Sequence, residues 1–243
     1  MKSWVSGDDV TTALAELVAT FTFMFIAIGT VGAATLAGGA AGTQFLIIVG
    51  MGFGIGIFLG VLTVGRISGA HMNPAVTLAA LVTGNISVVR AALYVVAQLG
   101  GAVLAVAVLD GALFNRDGLG VQSVTNITAT QGMVLEIFLT FFLVFTVFAT
   151  AIDKRGSTPL AGVAIALAVT VGQFIGVGFT GTGMNPARSF GPAAFFGEFA
   201  NHWVYWVGPL IGGTLAALVY VYFFGDEAAR KKVGKVKLSG EVA

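Results

Sequence analysis

Six long apolar stretches, separated by short polar connections, divide the chain. They cover residues 10–35, 45–64, 88–109, 133–152, 160–179 and 203–224. Few charged side chains lie inside them. Because a helix rises 1.5 Å per residue, about 20 apolar residues cross the ~30 Å hydrocarbon core of a bilayer. The pattern therefore predicts six transmembrane helices.

Two shorter apolar segments, 75–82 and 187–196, lie between spans two and three and between spans five and six. Each follows Asn-Pro, so the predicted helices are 74–84 and 186–196. About ten helical residues extend roughly 15 Å, which is half the thickness of the membrane core. We therefore predict two re-entrant half-helices, and an even number of spans places both termini on one side.

An internal repeat relates the two halves of the chain. Glu16 in the first span matches Glu136 in the fourth. Further matched pairs are Thr20 and Thr140, Phe21 and Phe141, Phe25 and Phe145, Thr30 and Thr150, Gly69 and Gly181, Met72-Asn73-Pro74-Ala75 and Met184-Asn185-Pro186-Ala187, and Gly100-Gly101 and Gly212-Gly213. Three spans per half is an odd number, so the second half enters from the opposite face. This predicts an inverted repeat with its functional site near the midplane.

The repeat also sets the predicted organisation. The first repeat covers residues 1–120, the second covers 121–225, and a basic tail covers 226–243, all within one domain. The connection 110–131 could cover the outer mouth, but the pattern does not predict its conformation.

Composition removes most other classes of protein. Apolar residues make up 57% of the chain and charged residues 9%, against about 25% charged in soluble domains. The fold class is therefore an all-α membrane protein. The net charge of +1 gives no reason to expect a nucleic-acid partner, and the absence of cysteine removes disulfides and thiolate chemistry. With two histidines and no zinc or phosphate motif, we expect no metal, no cofactor and no enzymatic activity.

Basic residues near the span ends indicate the orientation. One side carries Lys2, Arg66, Arg90, Lys154, Arg155, Arg230, Lys231, Lys232, Lys235 and Lys237, and the other mainly Arg116 and Arg188. The positive-inside rule then places both termini in the cytoplasm. The tail is predicted to be solvated, the alternative being contact with anionic lipid. Asp8 and Asp9 before the first span argue against a cleaved signal peptide, and the cell membrane is the expected location.

Asn-Pro-Ala opens each half-helix, and its residues suit a helix start. The residues are Asn73, Pro74 and Ala75 in the first half and Asn185, Pro186 and Ala187 in the second. Asn is a favoured N-cap, and Pro fits the first helical position, where its missing N–H costs nothing. Capping by the side-chain oxygen leaves each NH₂ group pointing away from its own helix.

The half-helices enter from opposite faces, so both NH₂ groups and both positive helix ends are predicted to meet near the membrane centre. Water there can accept hydrogen bonds from Asn73 and Asn185, whereas cations are repelled. The alternative is a pair of ordinary turns that start helices. Two motifs at matched repeat positions disfavour that alternative.

Small residues precede each motif. Irregular backbone at membrane depth is tolerated against a polar cavity or buried in protein. We predict that the carbonyl oxygens of Gly69, Ala70, His71, Gly181 and Gly183 face a narrow file of water as acceptors. The alternative is that the glycines serve close helix packing alone.

Glu16 and Glu136 lie inside apolar spans, where a carboxylate is costly and normally faces the protein interior. We predict that they accept hydrogen bonds from backbone N–H groups of the two loops, which would otherwise lack partners. A proton relay is the alternative. Gln98 is predicted to brace a loop in the same way, or to bond a neighbouring helix.

Arg188 follows the second Asn-Pro-Ala directly, and no acidic residue follows before Glu198. A cation in this position is predicted to line an aqueous path and to repel other cations. The alternative is an interfacial role. His71 could be a gate but is predicted to pack without titrating, and His202 beside Trp203 is predicted to join an interfacial belt.

These motifs together resemble the paired signature of the major intrinsic proteins, the aquaporin family. The segments that carry the resemblance are Ser68-Gly69-Ala70-His71-Met72-Asn73-Pro74-Ala75-Val76-Thr77 and Gly183-Met184-Asn185-Pro186-Ala187-Arg188-Ser189-Phe190-Gly191-Pro192. The resemblance extends over about residues 10–225. It implies a right-handed bundle of six transmembrane helices and two half-helices, assembled as a homotetramer with one pore per subunit.

The resemblance also implies an outer constriction of four side chains. They fall on Phe53, Gln173, Thr182 and Arg188. Family members selective for water usually have His where this chain has Gln173. That departure puts strict selectivity for water in doubt, although Gln keeps a donor and an acceptor.

Other positions separate the water and glycerol branches of the family. Here Ser189, Ala193, Tyr205 and Trp206 resemble the water branch. The expected function is passive conduction of water, and the alternatives are a facilitator of glycerol or other small neutral solutes, and an ion-coupled transporter. A transporter would need a titratable cluster at the midplane, which the sequence does not indicate. The expected partners are water, small neutral solutes and the lipid bilayer.

Overall fold

A computed structural model describes residues 5–114, 118–156, 160–235 and 238. The helices in these ranges are α1 (Gly7–Gly38), α2 (Gly42–Ser68), α3 (Pro74–Val82), α4 (Val88–Leu109), α5 (Ala129–Val147), α6 (Ala161–Thr180), α7 (Pro186–Phe196), α8 (Val204–Val219) and α9 (Glu227–Lys232). Single π-helical turns extend α4, α5 and α8 over Asp110–Phe114, Phe148–Ile152 and Tyr220–Phe224. The basic residues Lys2, Arg116 and Lys237, used for the orientation, lie outside the described residues.

Among the described helices, α1, α2 and α6, together with α4, α5 and α8 extended by their π-helical turns, are long and apolar enough to cross a membrane. The prediction of six transmembrane helices is therefore confirmed. Three spans, α1, α2 and α5, begin earlier than their apolar stretches. Polar caps start two of them. Ser6 and Asp9 form a reciprocal capping box at α1, as Thr128 and Gln131 do at α5.

The two half-helices begin at the predicted prolines. α7 ends at Phe196, as predicted, and Gly197 follows in the left-handed conformation. α3 ends at Val82, two residues before the predicted 84. The reason is local, because the Thr83 hydroxyl donates to the Ala79 carbonyl and Gly84 turns the chain at φ +70°.

The helix contacts repeat between the two halves. α1 packs against α2 and α4, and α5 packs against α6 and α8 in the same way. α2 and α6 join the halves, while each half-helix packs against a long helix of the other half, α3 on α8 and α7 on α4. This exchange holds the two half-helices inside the bundle.

Close helix packing shows the register of the repeat. A side chain on Gly101 would meet the Leu17 carbonyl oxygen at 2.5 Å, and one on Gly212 would meet the Ile137 carbonyl oxygen at 2.1 Å. Leu17 and Ile137 are matched, so Gly212 corresponds to Gly101. The sequence match instead paired Gly212 with Gly100. A Cβ added to Gly100 would have no atom within 4 Å. The repeat thus shifts by one residue in α4 and α8.

Candidate functional site

The two Asn-Pro motifs cap their half-helices from the side chain. Asn73 Oδ1 accepts from the Ala75 N–H at 2.8 Å. Asn185 Oδ1 accepts from the N–H groups of Ala187 at 2.9 Å and Arg188 at 3.3 Å. Each carboxamide is thereby fixed in one orientation, with its nitrogen directed away from its own helix.

Each asparagine amide binds the opposite loop. Asn73 Nδ2 donates to the Met184 carbonyl at 2.9 Å, and Asn185 Nδ2 donates to the Met72 carbonyl at 2.7 Å. The two half-helix N-termini are therefore tied together at one junction, with both positive helix ends facing it. An amide nitrogen carries two hydrogens, so each asparagine keeps one more donor for a molecule at the junction.

Both loops pass through the same unusual backbone conformation. Ala70 and Met72 have φ of 48° and 50°, and Thr182 and Met184 have φ of 49° and 53°. Left-handed non-glycine residues are costly and persist only where their surroundings hold them. The Met72 and Met184 side chains provide part of that support by packing against Gly60 and Gly172. A Cβ on Gly60 would lie 2.3 Å from the Met72 sulfur, and a Cβ on Gly172 would lie 2.6 Å from the Met184 sulfur.

Two buried carboxylates hold the loops from behind. Glu16 accepts from the N–H groups of His71 at 2.8 Å and Met72 at 2.7 Å. Glu136 accepts from those of Gly183 at 2.8 Å and Met184 at 2.7 Å. The carboxylates thus give these loop N–H groups partners in the interior. That the loop carbonyl oxygens line the water path stays a prediction.

Side chains complete each carboxylate cluster. Ser68 Oγ donates to Glu16 at 2.7 Å, and Thr180 Oγ1 donates to Glu136 at 2.6 Å. Gln98 Nε2 donates to Glu16 at 2.8 Å and to Thr77 Oγ1 at 3.0 Å. Gln98 therefore gives the first cluster an extra donor.

Two tyrosines also anchor the loops, and sequence reasoning did not single them out for this role. Tyr94 Oη donates to the Ser68 carbonyl at 2.8 Å, and Tyr205 Oη donates to the Thr180 carbonyl at 2.7 Å. The sequence match did not pair Tyr94 with Tyr205, because the repeat shifts by one residue in α4 and α8. The methionine carbonyls were missed because their role depends on left-handed backbone at non-glycine positions.

The four residues expected at the outer constriction are all buried. Arg188 donates to the Gly120 carbonyl at 2.7 Å, and its guanidinium carbon lies 5.1 Å from the Phe53 ring centre. Thr182 lies against Gly176 of α6, one turn from Gln173. Among the described residues, Gln173 Oε1, Thr182 Oγ1 and Arg188 Nε are buried side-chain atoms without a hydrogen-bond partner in the protein.

An outer cavity of about 560 Å³ leads to Arg188. Residues 118–123 and 125, which belong to the connection after α4, form one wall of this cavity. That the connection covers the outer mouth of a pore stays a prediction. Gln122 lines the cavity, packs on Gly181, and leaves both polar atoms of its amide buried without a protein partner. Sequence reasoning missed Gln122, because nothing local distinguishes it from other loop residues.

The two histidines sit in packed surroundings. The His71 ring contacts Thr77 Oγ1 at 3.1 Å and lies edge-on to Tyr94. His202 packs among Phe190, Phe199 and Trp206, and its burial lowers the pKa of the imidazole. Within the part of the chain that the structure describes, no group of His, Asp or Glu side chains could hold a metal ion.

Comparison with known proteins identifies the family of this chain. The family model described as Major intrinsic protein matches residues 3–220. The chain belongs to the major intrinsic protein family. Among its relatives in this family is the probable aquaporin TIP3-2 of Arabidopsis thaliana, which is 43% identical, with 88% of this chain and 84% of the relative covered.

Animal members of the major intrinsic protein family match over a similar length. Aquaporin-4 of Mus musculus is 38% identical, covering 90% of this chain and 68% of the relative. Aquaporin-2 of Rattus norvegicus is 41% identical, covering 88% and 79%. Among solved structures, the aquaglyceroporin from Plasmodium falciparum has a TM-score of 0.79 at 21% identity, covering 88% of this chain and 96% of that one, and so shares the fold.

Proposed function

We propose that this protein is a passive channel that conducts water in single file across a membrane and excludes protons and ions. The observation that carries the proposal is the junction of Asn73 and Asn185. Two amides, held by their own helix ends and by each other's loops, offer hydrogen-bond donors at one point. The family relationship supports the same function, since the relatives above are aquaporins.

The junction accounts for water passage without proton passage. A water that reaches it accepts hydrogen bonds from Asn73 and Asn185, so its own hydrogens point outward to its two neighbours. Neither neighbouring water can then pass a proton through the water at the junction, because the oxygen of that water already accepts hydrogen bonds from both asparagines. The two positive helix ends add a repulsion that acts on hydronium and on other cations.

The outer constriction provides the second filter. Arg188 places a fixed positive charge beside Phe53, which favours neutral solutes over cations. Gln173 Oε1 and Thr182 Oγ1 lack protein partners, and buried polar groups normally have partners. Water in the passage supplies the missing hydrogen-bond partners. In return, Gln173 and Thr182 replace part of the hydration that a water molecule loses when it enters the constriction.

Gln173 favours a second candidate function, the passage of glycerol or other small neutral solutes. The side chain lacks the imidazole common at this position in selective water channels, and its free carbonyl oxygen can accept from a hydroxyl. Water remains the first substrate because Ser189, Ala193, Tyr205 and Trp206 match the water branch.

The wider setting follows from the same proposal. The protein acts without a cofactor and is not an enzyme, its apolar exterior contacts the lipid bilayer of the cell membrane, and both termini face the cytoplasm. Like other members of the family it forms a homotetramer with one pore in each subunit. An ion-coupled transporter is disfavoured, because the donors at the junction offer a cation only repulsion.

Stopped-flow light scattering tests the proposal. Purified protein is reconstituted into liposomes and exposed to an osmotic gradient. We expect rapid shrinkage with a low activation energy, as for water moving through a wet passage. If liposomes that contain folded protein shrink no faster than empty liposomes, the channel function is refuted.

A further inference from the structure

A chain of hydrogen bonds leads from the buried Glu16 carboxylate to the ring of His71. Gln98 Nε2 donates to Glu16 at 2.8 Å and to Thr77 Oγ1 at 3.0 Å. Thr77 Oγ1 in turn lies 3.1 Å from His71 Nδ1. Glu16, Gln98 and Thr77 are buried, whereas His71 is partly exposed. The carboxylate supports the loop backbone without Thr77 or the imidazole, so the contact between these two side chains needs a separate explanation.

The second half of the molecule supports its loop without such a chain. The matched residues are Gly183 for His71, Ser189 for Thr77 and, with the one-residue shift, Pro209 for Gln98. The Ser189 hydroxyl donates back to the Asn185 carbonyl of its own half-helix at 3.4 Å. The three polar side chains of the first half are therefore not required to hold a loop of this kind.

The Glu16 carboxylate fixes the orientation of the Gln98 amide. It also accepts from Ser68 Oγ and from two loop N–H groups. An ionised carboxylate is only an acceptor, so the NH₂ group of Gln98 faces it rather than the amide oxygen. The second hydrogen of that nitrogen is directed at Thr77 Oγ1. A reversed amide would set its oxygen against the carboxylate, so Thr77 is the acceptor of the bond with Gln98.

The Thr77 hydroxyl has one hydrogen of its own to donate. Thr83, at the end of the same half-helix, donates to the carbonyl of Ala79, but Thr77 makes no such bond in the described structure. The polar side chains that contact Thr77 Oγ1 are Gln98 and His71. Because Gln98 is a donor, the hydrogen of Thr77 is left for His71 Nδ1. A neutral imidazole has one acceptor and one donor nitrogen, so the ring hydrogen is on Nε2.

The ring of His71 borders an open cavity. This cavity, of about 230 Å³, lies where α1 and α4 begin, and its lining includes Asp8 and Arg90, which form an ion pair with each other. Its volume leaves room for several water molecules. Among the described residues none bonds His71 Nε2, and Nε2 is not one of the buried side-chain atoms that lack a partner. A hydrogen on Nε2 is therefore accessible to water.

We propose that Gln98 and Thr77 are positioning residues that hold His71 as its neutral Nε2–H tautomer, so that the imidazole donates to water at this end of the passage. Glu16 sets the direction of the whole chain, because it orients Gln98. A neutral donor binds the oxygen of water without adding a second fixed cation to Arg188. The contribution to water conduction rests on the proposed function, whereas the tautomer does not.

Solid-state NMR of protein with ¹⁵N-labelled histidine, in lipid bilayers at neutral pH, reads the tautomer directly. The chain has 2 histidines, so the ring signals that persist in H202Q belong to His71. We expect the Nε2–H form to exceed the Nδ1–H form about tenfold, which is equivalent to ~1.4 kcal/mol, and its hydrogen to exchange magnetisation with water. A predominant Nδ1–H form or imidazolium in the wild type would overturn the proposal, whether or not any variant folds.

Substitutions along the chain separate positioning from packing. Thr77→Val keeps the shape without the hydroxyl, and Gln98→Met keeps the length without the amide. Both should lower the tautomer ratio at least about threefold, or ~0.65 kcal/mol, whereas Thr77→Ser keeps the hydroxyl and should retain the ratio. Ser189→Ala removes the matched hydroxyl from the second half and should have no effect. An unchanged ratio in T77V and Q98M, or an equal change in S189A, would overturn the positioning role.

Osmotic water permeability in liposomes tests the consequence for conduction. We expect T77V to conduct about twofold more slowly than the wild type, or ~0.4 kcal/mol, and T77S to conduct like the wild type. Equal permeability of all three would overturn the role of the tautomer in conduction. A folded wild type that does not conduct water would instead refute the channel function, and the tautomer measured by NMR would still stand.

Discussion

At the scale of single residues, the pore differs from the surrounding core in where its polar atoms point. Arg188 is fixed by the Gly120 carbonyl and the Phe53 ring, yet its Nε has no protein partner. Gln173 and Thr182 likewise keep one unpartnered oxygen each. Such groups are expensive in a dry interior, so their presence is explained by water in the passage. Three substitutions test this account.

Arg188→Val removes the fixed positive charge at the constriction. We expect water flux to persist while proton and glycerol permeability rise, because charge repulsion and steric blockage are both lost. Losing ~1.4 kcal/mol of repulsion would raise the rate of proton permeation about tenfold. The measurement is proton-dye fluorescence and glycerol-driven light scattering in the same liposomes. An unchanged permeability profile would remove Arg188 from the filter.

Gln173→His restores the imidazole found in selective water channels. The larger ring narrows the passage, so we expect glycerol permeability to fall several-fold while water permeability changes by less than about twofold, or ~0.4 kcal/mol. Gln173→Ala is the matched control and should raise glycerol permeability. If both variants conduct glycerol like the wild type, residue 173 does not line the constriction.

Mercurials test the position of Thr182. The chain has no cysteine, so we expect wild-type water flux to be insensitive to mercuric chloride. Thr182→Cys places a thiol at the constriction, and mercury bound there should block most of the flux, reversibly by an added thiol. Thr125→Cys, in the wide outer cavity, should remain open. Inhibition of the wild type, or equal block of both variants, would contradict the assignment.

At the scale of helices and loops, the two halves use the same supports. Each loop has a buried glutamate behind it and a methionine packed against a glycine, and a tyrosine hydroxyl binds the last carbonyl of the helix before it. These supports hold left-handed backbone that no local preference would produce. The long helices can approach because glycines replace side chains at the contacts.

The register of those glycines gives an element-scale prediction. Gly101→Ala places a methyl group against the Leu17 carbonyl, so we expect about 1–3 kcal/mol of destabilisation from overpacking. Gly100→Ala meets no atom within 4 Å, and should be neutral or stabilising by up to ~1 kcal/mol. Thermal unfolding in detergent measures both. The reverse order would contradict the packing of α4 on α1.

At the scale of the whole molecule, much of the architecture could be predicted from the sequence. Apolar length located the six spans and two half-helices, because the bilayer fixes how many apolar residues cross it. The repeat placed Asn73 and Asn185 opposite one another. Glu16 and Glu136 stood out because charge inside an apolar span is rare.

Other features could not be predicted because they depend on tertiary contacts. The cross-junction bonds to Met72 and Met184 require left-handed backbone that the neighbouring helices impose. The one-residue shift that pairs Gly101 with Gly212 comes from helix packing and leaves no mark in the sequence match. The contact between Arg188 and the Gly120 carbonyl joins two segments whose relation only the folded chain defines.

In the proposed mechanism, the junction of Asn73 and Asn185 passes water and blocks protons. Simultaneous recording of light scattering and of an entrapped pH dye, in the same liposomes under an osmotic and a proton gradient, tests it most directly. We expect water flux to increase in proportion to the protein present while the proton leak stays at the level of empty liposomes. A proton leak that increases together with water flux would contradict the account.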